Sequence, residues 1–416
     1  MVNQKYVSNE CEKMIDKKGV NENAVYFSKF FGENAFSKML DLIKLKAKGQ
    51  KVLMIVNAKE YQKYTNFKSE DFDSVILSSK SVDYDMLCGY TKTFDETIKC
   101  IIAIGGDDEV SIAKYLAKEK NLDLVLYINQ FASLDSFLPF SFNFKNGIMQ
   151  KFDTKNYDYL YIDSSELLAN TTREKLCDMV FNCISKLGFL FEKYIDCCFV
   201  KDNGYNKYVS DYLGTFNELN KILNNAIDLK SDDILKLMDI NLEFSHLLLQ
   251  MGYGGIDNEN EFSFVYKYLN KNSNLTYNAL KAIGVQVILK LYNDFIVKLK
   301  YIPNSYFDIE KRIQLFDSTL KFADLEFDIG EVVSPKQIYM LCRFQDKICV
   351  RLATINKMVD QLMYKTLDLY SDSGYIFINS VDKDCVLKSI YFIADLKDNK
   401  TLLKTMRNIG VLDFYS

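Results

Sequence analysis

The residues with the clearest capacity for chemistry are two glycines followed by three carboxylates, Gly105-Gly106-Asp107-Asp108-Glu109. They lie between the aliphatic run Ile101-Ile102-Ala103-Ile104 and a helical pattern of Val110, Ile112, Ala113, Tyr115, Leu116 and Ala117. A buried strand that turns on glycines into a helix start is where an α/β protein holds a phosphate. Glycines admit the ligand to the backbone, and free N–H groups with the positive end of the helix dipole stabilise its charge. Carboxylates favour the same dipole end, so Asp107, Asp108 and Glu109 cap the helix themselves and repel an approaching phosphate. The turn has the scaffold of a nucleotide site and the wrong charge for one. For Asp107 and Asp108, helix capping is at least as good a reading as any active role.

The elements that position this turn alternate between strand and helix. Strands are expected over 23–27, 51–56, 72–77, 101–104, 122–128 and 157–162, with helices over 32–46 and 84–99 and a hairpin turning on Asn146-Gly147. Repeated β-α-β units imply a mostly parallel, Rossmann-like sheet covered by helices on both faces, with a ligand at the carboxyl ends of its strands. Beyond about residue 165 the pattern turns helical. Thr171 and Glu174 have capping-box spacing ahead of a helix through Leu176, Val180, Ile184 and Leu187. Helical periodicity continues over 207–225, 231–251, 259–271, 275–299, 335–369, 382–394 and 399–408, with Ser334-Pro335 as a helix start. The expected organisation is an α/β domain over 1–165 and an all-α domain over 166–416.

Composition excludes several classes of function. A chain of 416 residues with 48% hydrophobic content can bury substantial cores, and its formal net charge of −4 gives no basic face for nucleic acid or an anionic membrane. The N-terminal stretch lacks an apolar core of signal-peptide length, and no apolar run is long enough to cross a bilayer, so a cytoplasmic protein is expected. Ten cysteines without a Cys-x-x-Cys pair, and a single histidine, indicate neither a zinc cluster nor a disulfide framework. They read as reduced, buried, small apolar residues, and His246, in Phe244-Ser245-His246-Leu247, as a structural histidine.

Gly105-Gly106-x4-Ser111-x-Ala113-Lys114 resembles the Gly-Gly-Gly…Asp-x-Ala-Lys phosphate turn of the superfamily of glycerol dehydrogenases, iron-containing alcohol dehydrogenases, dehydroquinate synthase and sn-glycerol-1-phosphate dehydrogenase. Ala132-Ser133-Leu134-Asp135-Ser136 is similar to that superfamily's Ala-Ser-Thr/Asn-Asp-Gly loop, which lines its cofactor and substrate cleft. Tyr157-Asp158-Tyr159-Leu160-Tyr161-Ile162-Asp163 is similar to its Pro-Asp-Leu-Val-Ile-Val-Asp strand. Asp398-Asn399-Lys400-Thr401-Leu402-Leu403, running to Ile409-Gly410-Val411-Leu412, resembles the C-terminal segment of the glycerol-1-phosphate dehydrogenase branch. These landmarks occur in the superfamily's order along nearly the whole chain, and imply a dehydroquinate synthase-like architecture.

The resemblance also implies a site. Gly105, Gly106, Asp107, Ser111 and Ser133 fall on cofactor-binding positions for NAD or NADP, and Asp135 on a substrate position, against a simpler reading of Ser133 and Asp135 as a polar loop holding its own backbone. Lys114 is retained and is equally readable as a helix-surface lysine. Members of the superfamily use a divalent metal, held by one aspartate and two histidines, as a Lewis acid. Their positions fall here on Asn182 (Phe181 in a second alignment), Phe262 and Tyr277, so no metal is expected. The expectation is a glycerol-1-phosphate dehydrogenase-like protein that has lost metal-dependent catalysis and serves as a ligand-binding, regulatory or scaffold protein. The alternative is an active NAD(P)-dependent oxidoreductase on a small polyol or polyol phosphate, with Lys114, Tyr277 or Tyr266 as general acid. Partners expected are a small phosphorylated or polyol ligand and, by analogy, a second copy of the chain.

Overall fold

The computed structural model describes residues 28–47, 49–57, 60, 62–63, 73–79, 83–145, 148–199, 205–224, 229–255, 257–299, 335–369, 381–396 and 401–412. They fall into two compact units, one within Met1–Lys145, Met149–Leu176 and Lys230–Ser245, the other within Asn146–Ile148, Cys177–Leu229 and His246–Ser416.

The first unit is built on strands β1 (Ser28–Gly32), β2 (Lys51–Asn57), β3 (Asp73–Ser79), β4 (Ile98–Gly105), β5 (Asp123–Ile128) and β8 (Tyr159–Asp163), with β6 (Phe140–Lys145) and β7 (Ile148–Asp153) paired separately. The six form one sheet in the order β1-β8-β5-β4-β2-β3, and every pairing in it is parallel. The continuous apolar runs of β2, β4 and β5 follow from burial on both faces, as a parallel sheet requires. Helix α1 (Ala35–Ala47) lays Ala35, Met39, Ile43 and Ala47 onto Val52, Met54, Val56, Ile102, Ile104 and Val125, the residues of one sheet face. Helices α2 (Tyr84–Lys92), α3 (Asp107–Lys120) and α4 (Ser164–Asn170) complete the α/β part.

Several expected boundaries move. Residues 23–27 and the Asn146-Gly147 turn lie outside the described residues, and the first described strand is Ser28–Gly32. Helix α2 ends at Lys92 instead of running to 99, because Asp95 accepts from the Thr97 N–H at 2.9 Å and its hydroxyl at 2.6 Å. That side-chain turn redirects the chain into β4.

The second unit is helical: α5 (Arg173–Phe199), α6 (Tyr205–Ile222), then the end of α7 (Ser231–Gln250), α8 (Asn258–Leu269), α9 (Tyr277–Lys298), α10 (Pro335–Leu369), α11 (Lys383–Asp395) and α12 (Leu402–Asn408). The cap of α5 is Thr172, one residue later than expected. Its hydroxyl accepts from the Lys175 N–H at 3.3 Å, while Thr171 turns back onto the Leu167 carbonyl of α4. No described helix is long and apolar enough to cross a membrane. Of the described cysteines, Cys100, Cys177 and Cys183 are buried as expected, whereas Cys88, Cys198, Cys342, Cys349 and Cys385 are half-buried.

Candidate functional site

The sheet order sets where a ligand crevice forms. Strands β2 and β4 are neighbours, but β2 leads outward to β3 and β4 inward to β5. Their carboxyl ends, Asn57 and Gly105, therefore flank the topological switch point of the sheet, the place where α/β proteins bind ligands. The Gly105-Gly106 turn lies there, at the start of α3.

The protein's own side chains fill this turn. Glu109, 1% exposed, folds back so that its Oε2 accepts from the Gly106 N–H at 2.8 Å, while Oε1 accepts from the Asn57 amide across the crevice at 3.4 Å. Gly105 has φ of +143°, and a Cβ there would lie 2.8 Å from the Glu109 carboxyl carbon. A Cβ on Gly106 would lie 2.9 Å from the Gln130 amide nitrogen. The positive φ and the close approach of Glu109 call for glycine at 105, whereas a Cβ at 106 would require Gln130 to shift. Lys175 holds Gln130 in turn, donating to its Oε1 at 2.5 Å.

The Asp107 side chain reaches beyond its own helix. Its Oδ1 accepts from the Ser133 N–H at 2.6 Å and the Ser136 hydroxyl at 2.5 Å, tying the start of α3 to the short 3-10 turn Leu134–Phe137. The Asp108 carboxyl is pushed up by burial and by Glu109 beside it. Lys114 is not on the surface. It is 1% exposed and donates to the backbone carbonyls of Asp135, at 3.3 Å, and Phe140. Burial brings its ammonium down to about 7, opposed by Asp135 and Asp107. The Ser111 hydroxyl donates to Asn143 Oδ1 at 3.4 Å. Gly105, Gly106, Asp107, Ser111, Lys114, Ser133 and Asp135 are therefore gathered in one region of the first unit. Glu109, Asn57 and Gln130 join them, and no sequence motif marked their contacts.

The three positions that the resemblance assigns to metal ligands lie in the second unit, each held in packing contacts there. The Asn182 amide donates to Asn278 Oδ1 at 2.8 Å, and Asn278 in turn donates to Asp178 at 2.6 Å. Phe262 is fully buried, its ring lying where a Cβ on Gly284 would meet Cδ1 at 2.7 Å. Tyr277 opens α9 after the Thr276 cap, with its ring 5.9 Å from Phe264 and under the Lys267 ammonium at 5.7 Å. Its phenol is pushed up to about 12 by burial. An amide, a benzene ring and a protonated phenol are not a divalent-metal donor set. Tyr266 is buried, its hydroxyl accepting from the Asp382 N–H at 2.8 Å. His246 is half-buried on α7.

A second polar cluster, not anticipated from the sequence, runs through the helical unit. Buried Lys186 donates to the Tyr253 hydroxyl at 2.6 Å and lies 3.6 Å from Asp257, to which Tyr253 donates at 2.5 Å. Glu259 is pushed well up by burial and by Asp257. Nearby in sequence on α5, Glu192 accepts from the Tyr292 hydroxyl at 2.5 Å and, through both oxygens, from the Leu402 N–H at 3.2 Å.

No protein-family model matches the chain, and no curated protein does. Solved structures do match. Glycerol dehydrogenase from Schizosaccharomyces pombe is 14% identical, covers 84% of this chain and 93% of its own, with a TM-score of 0.51. A probable glycerol dehydrogenase from Sinorhizobium meliloti is 11% identical over 83% of this chain and 97% of its own, at 0.53. A mutant of an archaeal halo-thermophilic alcohol dehydrogenase from a Red Sea brine pool is 11% identical over 91% and 99%, also at 0.53. At these identities the likeness establishes the fold: an α/β part with a parallel sheet plus an all-α part, the dehydroquinate synthase-like arrangement.

Proposed function

We propose that this chain uses a dehydrogenase fold without metal-dependent hydride transfer, as a protein that binds a small ligand, regulates or scaffolds. The observation that carries this reading is the state of the metal positions. Asn182 is committed to Asn278, Phe262 has no donor atom, and Tyr277 is packed between Phe264 and Lys267. Chemistry that polarises a hydroxyl or carbonyl with a divalent ion needs charged or imidazole donors, and these residues offer none.

The test is an oxidation assay of the purified chain with glycerol or sn-glycerol 1-phosphate and NAD or NADP, and the reverse with dihydroxyacetone phosphate, each with and without added Fe²⁺ or Zn²⁺. The expected result is no turnover above the protein-free control. Turnover that rises with metal overturns the reading. Turnover equal with and without metal establishes the alternative, a metal-free oxidoreductase, for which Lys114, Tyr277 and Tyr266 are the candidate general acids.

A further inference from the structure

We infer that the leading end of α12 is a pH-sensitive clasp: Glu192 of α5 holds it down as a protonated carboxyl, and the clasp lifts as that proton is lost.

Four elements of the helical unit meet at this carboxyl. Glu192 accepts from the Tyr292 hydroxyl of α9 at 2.5 Å and, with both oxygens, from the Leu402 N–H that opens α12 at 3.2 Å. The Tyr292 hydroxyl also accepts from the Leu403 N–H at 3.2 Å and from the Asn258 amide of α8 at 3.0 Å. The same amide donates to the Thr401 hydroxyl at 3.0 Å, and Thr401 makes no side-chain capping bond to its own helix. The first two N–H groups of α12 are thus capped by side chains of α5 and α9, not from within the segment. The far end is fastened differently. Arg407 pairs with Asp395 of α11 at 3.1 Å, and Lys404 donates to the Asp395 and Leu396 backbone carbonyls at 3.4 Å.

The surroundings of Glu192 disfavour its ionised form. Burial, the largest cause, and Asp196 one turn along α5 push its carboxyl up to about 7, against the bonds from Tyr292 and Leu402 and the charge of Lys193. Lys193 and Asp196 lie 3.7 Å apart and offset one another. From α8, Glu259 acts on the same carboxyl and is itself pushed well up by burial and Asp257, with Lys186 opposing. Burial and Glu192 together keep the Tyr292 phenol protonated. On α12 itself the cations Lys404 and Arg407 are engaged around Asp395. An ionised Glu192 therefore gains most by reaching water. Of the helices around it, α5, α8 and α9 have 27, 12 and 22 residues and α12 has 7, so the leading end of α12 is the part that yields. Its lifting uncovers Leu402 and Leu403, which are 5% and 0% exposed when the clasp is closed.

The experiment is amide hydrogen exchange of the full chain, read residue by residue between about pH 5 and about pH 8 and corrected for the intrinsic base-catalysed rate. In the open form the carboxyl returns to its ordinary 4.5. The opening equilibrium at Leu402 and Leu403 is then expected to rise with pH until about 7 and level off, gaining on the order of a hundredfold across the range. The Arg407 and Asn408 amides, beside the ion pair, stay flat. In Glu192→Gln, which keeps an acceptor for Leu402, the rise disappears. In Tyr292→Phe, which removes a bond holding the carboxyl down, the rise at Leu402 continues to higher pH, and this variant decides the matter should Glu192→Gln fail to fold. A flat native curve at Leu402 overturns the inference, as does a rise that Glu192→Gln retains. So does a rise shared equally by Arg407 and by the amides of α5 and α9, or a Tyr292→Phe curve that coincides with the native one. None of these readouts depends on turnover or on a bound ligand.

Discussion

Glu192 offers the sharpest test of the energetics. Its carboxyl is pushed up from the ordinary value of 4.5 to about 7, chiefly by burial, against the lowering effect of the Tyr292 hydroxyl and the Leu402 N–H. A carboxyl raised in the folded state binds a proton there that the unfolded chain has released, so its contribution to stability is complete below the unfolded value and is lost as pH rises through the folded one. The difference between 4.5 and about 7 corresponds to about 3 kcal/mol lost across that window. Replacement by glutamine keeps an acceptor for the Leu402 N–H and removes the titration. The assay is urea unfolding of native and Glu192→Gln proteins at a series of values from about pH 4 to about pH 8. The difference in unfolding free energy should shift by about 3 kcal/mol in favour of the variant as pH rises, with the steepest change midway between 4.5 and about 7. Glu259 feels the Glu192 charge and is present in both proteins, so most of its effect cancels in the difference. A difference that stays flat across the range refutes the reasoning.

Three further outcomes are expected. Lys114→Met removes an ammonium brought down to about 7 in the folded state, whose contribution grows as pH rises from there toward the ordinary 10.5; the native rise in thermal stability over that interval should be reduced in the variant. Gly188→Ala places a Cβ inside the Glu259 carboxyl group and 3.0 Å from Val285, and should cost about 1–3 kcal/mol or more in urea unfolding. Arg407 and Asp395 form an ion pair in which each side chain is 1% exposed, with N···O at 3.1 Å. Asp395→Asn should cost about 3–5 kcal/mol by removing the carboxylate charge that faces the buried guanidinium, and the double change to Met and Leu should cost less, as chemical denaturation would show.

The fold was largely legible because its signals are local. The runs Val52–Val56, Ile101–Ile104 and Leu124–Ile128 are uniformly apolar since a parallel sheet buries both of their faces, and the long helices declare themselves by period. What failed was also local in character: α2 stops early at a side-chain turn around Asp95, and the α5 cap falls on Thr172 when Thr171 has the right neighbour at the right spacing. The site was legible as a place and not as an arrangement. That carboxylates sit at the glycine turn is visible in the sequence. That Glu109 reaches Asn57, and that Asp107 reaches past its own helix to Ser133, depends on partners 52 and 26 residues distant. Lys114 could have been placed inside, since Val110 and Ala117 lie one turn away on the same helical face.

The Glu109 contact has a consequence in terms of concentration. A carboxylate tethered three residues from the N–H it occupies competes as though present at about millimolar concentration or above, wherever the protein is and however dilute. Any acceptor arriving from solution at this N–H has to be present above that effective concentration before it competes on equal terms.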